Sequence, residues 1–163
     1  MSTIKLKNVV MEDFVNYKSP SMFLVSAICD WKCCREQNMD IGVCQNAPLI
    51  QYPTKEIDNV YIYEHYISNP ITKAIVIGGL EPMLQIDEVL NLIDYFRSHN
   101  EHSPFVIYTG YYPEEIKNEL TKLKKYDNVI IKFGRYIPND TTRYDEVLGI
   151  TLASSNQYAE VIS

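Results

Sequence analysis

Short apolar runs recur along the chain and predict β-strands. They occupy residues 21–27, 74–79, 104–110 and 128–133 and are rich in aliphatic and aromatic side chains. Runs of this length, bounded by loop residues, are typical of strands. The first run leads directly into Cys29, and the second ends on Gly78 and Gly79. We therefore predict four strands, with chemically distinctive residues at their ends.

Two of the intervening segments have the pattern of amphipathic helices. In residues 83–97, apolar side chains recur at helical spacing, at Met83, Ile86, Val89, Leu90, Ile93 and Phe96. A second helix is predicted after Tyr112, because Pro113 suits a first helical position and Glu114 and Glu115 suit the positive end of the helix dipole. Its other end carries Lys122, Lys124 and Lys125.

The order of these elements predicts the fold class. Residues 57–67 are ambiguous, since their β-branched and aromatic content favours a strand, but the chain needs a crossover there, and we predict a short helix. Strands that alternate with helices pair in parallel, with the helices as crossovers. We therefore predict an α/β fold with a mostly parallel sheet. Residues 137–147 are expected to form a loop, and residues 149–153 a last edge strand.

Composition and charge narrow the choice of compartment and partner. The 163 residues suit one domain, and 46% hydrophobic with 22% charged residues are globular values. A net charge of −6 argues against nucleic acid and against an anionic membrane as partners. We expect no secretory signal, because no apolar stretch of sufficient length follows the polar segment 1–10, and no apolar run is long enough to span a bilayer. We expect a soluble, cytoplasmic protein.

The cysteines are confined to one short segment. Cys29, Cys33, Cys34 and Cys44 fall within sixteen residues, and the three histidines lie outside that segment. Clustered thiols in a reducing compartment indicate a metal or redox site, although chance clustering of buried free cysteines is the plainer alternative. Four thiolates would suit a closed structural zinc site, whereas three spaced thiolates would bind a [4Fe–4S] cluster and leave one iron open. Spacing alone does not choose between these two.

Several unusual residues are expected at one edge of the predicted sheet. The carboxyl ends of the predicted strands are occupied by the cysteine loop, Gly78-Gly79, Thr109-Gly110 and Gly134. Ligands of parallel α/β proteins bind at the carboxyl ends of the strands. We therefore predict that the active site lies there. Arg35 and Glu36, within the cysteine loop, are expected to be solvated charges.

Two motifs resemble those of the radical S-adenosylmethionine (SAM) superfamily. The segment 29–33, Cys-Asp-Trp-Lys-Cys, resembles the first half of the signature Cys-x3-Cys-x2-Cys. The segment 78–82, Gly-Gly-Leu-Glu-Pro, resembles the Gly-Gly-Glu-Pro motif, with Leu80 where the second glycine usually stands. The third cysteine departs from the signature, because ten residues separate Cys33 from Cys44. Cys44 is taken as the third ligand because Gln45-Asn46 follows it, where the family commonly has His-Asn.

Three further segments are similar to the small activating proteins of the anaerobic (class III) ribonucleoside-triphosphate reductase. These are residues 108–111, 132–136 and 154–157. The resemblance implies a single radical SAM domain over residues 1–163, built as a small partial (β/α) barrel with its cluster loop at residues 28–46. It also implies a glycyl-radical-enzyme activase, which abstracts a hydrogen atom from a glycine of the reductase.

The resemblance implies a role for each site residue. Cys29, Cys33 and Cys44 would hold a [4Fe–4S] cluster, whose open iron takes the amino and carboxylate groups of SAM. The expected cofactor-binding residues are Trp31, Gly78, Gly79, Glu81, Thr109 and Lys132, with the glycines and Glu81 at the methionine end, Thr109 at the ribose and Lys132 at the carboxylate. Candidate partner contacts are Tyr111, Tyr112, Asn156 and Gln157.

The resemblance also implies two partners, and two alternative functions remain open. A low-potential donor similar to flavodoxin would reduce the cluster, and the substrate would be the anaerobic reductase. One alternative is a radical SAM enzyme for a small molecule, similar to 7-carboxy-7-deazaguanine synthase. The other is a non-catalytic interaction module stapled by zinc through all four thiolates.

Overall fold

A computed structural model of the chain describes residues 2–30, 35–36 and 46–163. Its strands are β1 (Thr3–Asp13), β2 (Ser21–Ser26), β3 (Lys55–Asp58), β4 (Ala74–Gly79), β5 (Phe105–Tyr108), β6 (Val129–Phe133), β7 (Arg143–Asp145), β8 (Ile150–Leu152) and β9 (Tyr158–Val161). The α-helices of the described ranges are α1 (Asn59–Ser68), α2 (Ile86–Ser98) and α3 (Lys117–Leu123). None of them is long and apolar enough to cross a bilayer.

The main sheet of the described ranges has a parallel centre and antiparallel edges. Its strand order is β3-β1-β2-β4-β5-β6-β9. The central strands β2, β4, β5 and β6 pair in parallel. At one edge β1 is antiparallel to both β2 and β3, and at the other β9 is antiparallel to β6. The chain is therefore a mixed α/β protein, with the predicted parallel pairing confirmed for its central strands.

Side chains of the central strands alternate between two cores. Ile75 and Ile77 of β4 pack in the core that the helices cover, together with Leu92 and Phe96 of α2. The residues between them face the opposite side, where Val76 packs with side chains from the C-terminal part of the chain. This alternation follows from the two-residue period of a strand. Both faces of the sheet centre are thus buried, which explains why these strands are continuous apolar runs.

The second face is covered by a hairpin, β7–β8, rather than by helices. Leu148 and Leu152 of this segment pack on Val76, Val106 and Ile130 of the sheet. The hairpin is fixed by Asp145, whose carboxylate accepts hydrogen bonds from the backbone N–H groups of Leu148 (3.0 Å) and Ala159 (2.9 Å). A buried carboxylate therefore ties the hairpin to the edge strand β9.

The predicted elements agree best with the observed ones at the centre of the sheet. All four predicted strands are present, and both predicted amphipathic helices follow a 3-10 turn, Pro82–Gln85 or Pro113–Glu115. The ambiguous segment 57–67 is mainly helix α1, whose first turn Asp58 caps by accepting from Val60 N at 3.1 Å.

Two predictions about the outer elements were wrong in part, and a third element, β1, was not predicted. The predicted strand at 149–153 is present as β8, but it does not lie at the edge of the main sheet. The N-terminal segment forms the long strand β1, whose Ile4 and Leu6 are buried while the alternating residues Lys5 and Lys7 are partly exposed. The expected loop 137–147 contains β7, and the predicted strand at 149–153 pairs with β7 in a separate two-stranded sheet. The edge of the main sheet is instead formed by β9. These short or half-polar strands lack the apolar run that marks a central strand.

Candidate functional site

A cavity of about 400 Å³ opens at the carboxyl ends of the parallel strands. It lies on the second face of the sheet, between strand residues such as Tyr108 and the hairpin residues Ile150 and Leu152. Its size suits a small-molecule site. The predicted site residues that line it are Cys29, Gly79, Glu81, Thr109, Lys132 and Gln157.

Glu81 is the most constrained acidic group of this cavity. Oε2 accepts hydrogen bonds from Met83 N (3.0 Å) and Thr109 Oγ1 (2.8 Å), and Oε1 accepts one from Gly110 N (2.8 Å). Its own N–H donates to the carbonyl of Ile28 (2.6 Å), the residue before Cys29. The side chain therefore connects the ends of β4 and β5, and the backbone connects both to the start of the cysteine loop.

The electrostatic state of Glu81 reflects a balance of opposing effects. Burial raises the pKa of this carboxyl to about 7, while the three hydrogen-bond donors and the nearby Lys132 ammonium oppose the rise. A carboxylate offers about four lone-pair positions, of which three are occupied here. Within the described part of the chain, no donor takes the fourth position, which is on Oε1.

The two glycines of the predicted motif differ in role. Gly79 has a φ of +87°, and a Cβ there would lie 2.8 Å from Cγ1 of Val25, so no other residue fits without strain. Gly78 does not appear in the cavity lining. A Cβ at Gly78 would lie 3.2–3.3 Å from Tyr108 and from the Phe23 ring, both of which do line the cavity. Gly78 thus permits close packing of the cavity wall.

Lys132 brings a cation to the same cavity. The lysine side chain is buried. Its Nζ lies 3.5 Å from the carbonyl oxygen of Gly134 and 5.4 Å from the centre of the Tyr108 ring. The lysine comes from β6 and Glu81 from the end of β4, so the sheet places opposite charges on one cavity. Thr109, which directly follows the intervening strand β5, donates a hydrogen bond from its hydroxyl to Glu81.

Cys29 is the one candidate cluster ligand that lies within the described ranges. It follows β2, is partly exposed and lines the cavity. Trp31, Cys33, Cys34 and Cys44 lie outside the described residues. Among the residues that are described, no group of three or more His, Cys, Asp or Glu side chains could hold a metal ion.

An ion-pair network beside the cavity was missed by the sequence analysis. Arg135 is buried, its Nε pairs with the carboxylate of Glu36, and its Nη1 bonds Glu115 Oε1 at 2.7 Å and the Gly110 carbonyl at 3.2 Å. Its guanidinium also stacks over the Tyr112 ring at 4.7 Å. Glu36 was expected to be a solvated charge. Its side chain is 43% exposed, as expected, but its carboxylate is paired with Arg135, which was not predicted.

The four candidate partner contacts are engaged within the chain. Tyr111 donates a hydrogen bond from its hydroxyl to Asp30, and burial, together with this hydrogen bond to a carboxylate, raises the pKa of the phenol. Asn156 Nδ2 donates to Tyr112 Oη and to the Arg135 carbonyl, both at 2.7 Å. Gln157 is buried and bonds the Gly134 carbonyl and Ser154 N. Partner contact by these residues stays a prediction, and Gln157 offers little surface for it.

A comparison with protein families gives one match. The family described as 4Fe-4S single cluster domain matches residues 22–158, from β2 to the first residue of β9. No curated protein and no solved structure matches the chain.

Proposed function

The chain belongs to the family of 4Fe-4S single cluster domains, and from that membership we propose that it is a radical SAM enzyme. The observation that supports the proposal most is the cavity at the carboxyl ends of the parallel strands. Cys29 lines this cavity together with a buried carboxylate, Glu81, and a buried ammonium, Lys132. Cys29, Cys33 and Cys44 would hold the cluster.

The charged groups of the cavity fit the methionine end of SAM. That end carries an ammonium and a carboxylate, and the cavity offers the remaining acceptor position of Glu81 and the cation of Lys132. Gly79 lines the same cavity, and its positive φ and close packing against Val25 fix the course of the backbone that leads to Glu81.

The bound cofactors would supply the chemistry of the reaction, and the protein would bind and orient the reactants. A reduced [4Fe–4S] cluster held by Cys29, Cys33 and Cys44 would supply one electron to SAM, whose S–C5′ bond would then break to give methionine and a 5′-deoxyadenosyl radical. Glu81 orients the ligand amine through a carboxylate that three donors hold in place. The hairpin β7–β8 and Phe23 form part of the cavity wall and contribute apolar side chains to it.

We propose further that the substrate is a protein, namely an anaerobic ribonucleoside-triphosphate reductase. A cavity of about 400 Å³ lies in the lower part of the range for small-molecule sites, and SAM would take up most of it. A protein substrate could bring its own glycine loop to the cavity mouth. The 5′-deoxyadenosyl radical would remove one hydrogen atom from this glycine, giving 5′-deoxyadenosine and a glycyl radical. A flavodoxin-like donor would supply the electron.

The activase is tested by electron paramagnetic resonance on a mixture with the purified reductase. The reconstituted protein, dithionite and SAM are mixed anaerobically with the reductase, and the glycyl radical is quantified against 5′-deoxyadenosine. We expect one radical per 5′-deoxyadenosine in the first turnover, and none with Cys33→Ala. If SAM is cleaved but no glycyl radical forms, the protein-substrate proposal fails and the small-molecule alternative is favoured.

A further inference from the structure

Arg135 contacts the cysteine loop as well as the rim of the cavity. Its guanidinium reaches Glu36 in the loop through Nε, and Glu115 and the Gly110 carbonyl on the rim through Nη1. Only 9% of its side chain is exposed. Since arginine presents several donors in a rigid plane, one side chain can bridge two segments in this way. Arg135 therefore links the loop to the ends of β5 and β6.

A second contact ties the loop nearer its start. Asp30 accepts a hydrogen bond from the hydroxyl of Tyr111, which follows β5, and its carboxylate lies 3.7 Å from the Arg35 guanidinium. Cys33 stands three residues after Asp30 and three residues before Glu36. The chain on either side of this candidate ligand is thus attached to the same rim, independently of any metal.

We propose that Arg135 is a positioning residue for the iron–sulfur cluster, holding the cysteine loop through Glu36 so that its thiolates stay in place. Fixing ligands before they bind reduces the ordering cost of binding. The inference rests on the cluster that the family implies, and not on SAM cleavage. Arg135 acts through Glu36 and has no assigned contact with the cluster.

A purely structural role of Arg135 would depend on its other contacts. Glu115, the Gly110 carbonyl and the Tyr112 ring all belong to the rim, and they would be kept if only the loop contact were removed. Glu36→Gln removes the negative charge that pairs with Arg135 and leaves the contacts between Arg135 and the rim in place. This variant therefore separates the positioning role from general stabilisation.

The test measures how fast the cluster is lost to an iron chelator under anaerobic conditions. We compare wild type, Glu36→Gln and Arg135→Lys, following the visible absorbance of the cluster, with thermal unfolding measured in parallel. Glu114→Gln is the matched control, because Glu114 is exposed on the same rim. We expect both test variants to lose the cluster about fivefold faster than wild type, and the control to match wild type. Glu36→Asp, which keeps the charge, is expected to recover part of the retention.

Three results would overturn the inference. Cluster loss from Glu36→Gln at the wild-type rate would mean that the pair does not hold the loop. Acceleration in Arg135→Lys alone would assign the effect to the rim contacts. A wild-type protein that takes up no iron and sulfide would overturn the inference together with the cluster. None of these readouts uses SAM, so a failure of the radical SAM proposal is recognised separately.

Discussion

At the scale of single residues, Glu81 combines a structural and a functional position. Its carboxylate joins the ends of β4 and β5, and the same side chain lines the cavity, with one acceptor position on Oε1 that no donor of the described ranges takes. Burial raises its pKa to about 7, so that a change of pH near neutrality changes the fraction of the carboxyl group that is ionised. A cationic ligand group would favour the ionised form.

This pKa predicts a pH dependence of stability. Because the folded pKa is raised from 4.5 to about 7, the folded protein binds more protons than the unfolded chain between these values. Stability due to Glu81 is therefore present below pH 4.5 and is lost as the pH rises toward 7, by at most about 3 kcal/mol. Urea unfolding of wild type and Glu81→Gln at pH 5 and pH 7.5 measures it. The prediction fails if both proteins lose the same stability between the two pH values.

Sequence reasoning found some of the site residues but not all. Glu81 and Gly79 stand in a local motif, so their approximate role could be inferred from neighbours in the sequence. The Arg135–Glu36 pair joins positions about a hundred residues apart, and each is an ordinary charged residue in its own segment. A contact of this kind depends on the packing of distant elements, which no local pattern encodes.

At the scale of elements, the hairpin β7–β8 completes the cavity. Ile150 and Leu152 line it, and the hairpin is held by the buried Asp145. The sequence predicted the central strands because apolar side chains cover both of their faces. It did not predict β7 or β9, because strands of three and four residues carry too few positions to show a period.

The Asp145 contacts predict how the hairpin can be weakened. In Asp145→Asn one carboxylate oxygen becomes an NH2 group, which would face the N–H of Leu148 or Ala159 and leave a buried donor unsatisfied. We expect a loss of about 1–3 kcal/mol in the free energy of unfolding. Urea denaturation measures it, with the exposed Glu146→Gln as a matched control. Equal midpoints for Asp145→Asn and the control would show that the carboxylate does not fix the hairpin.

At the scale of the whole molecule, the fold brings distant segments to one edge of the sheet. The start of the cysteine loop, the glycine motif after β4, Thr109 after β5 and Lys132 of β6 surround one cavity. That convergence was predictable, since parallel strands present their carboxyl ends together. The shape of the cavity was not, because the hairpin that forms its other wall was not predicted.

The choice among cysteines predicts a difference between two variants. If Cys29, Cys33 and Cys44 hold the cluster, Cys44→Ala should lose most of the iron and sulfide, and Cys34→Ala should keep about four of each per chain. Anaerobic purification followed by iron, sulfide and zinc analysis measures this. Stoichiometric zinc without sulfide would favour the zinc-stapled module, and loss of iron in Cys34→Ala but not in Cys44→Ala would exchange the two cysteines.

The most direct test of the central claim is the formation of 5′-deoxyadenosine. The reconstituted protein is incubated anaerobically with SAM and dithionite, and the products are quantified by chromatography, with Cys33→Ala as the control. We predict that wild type releases 5′-deoxyadenosine and methionine in equal amounts and that the control releases neither. An intact, reducible cluster that leaves SAM uncleaved would contradict the radical SAM function.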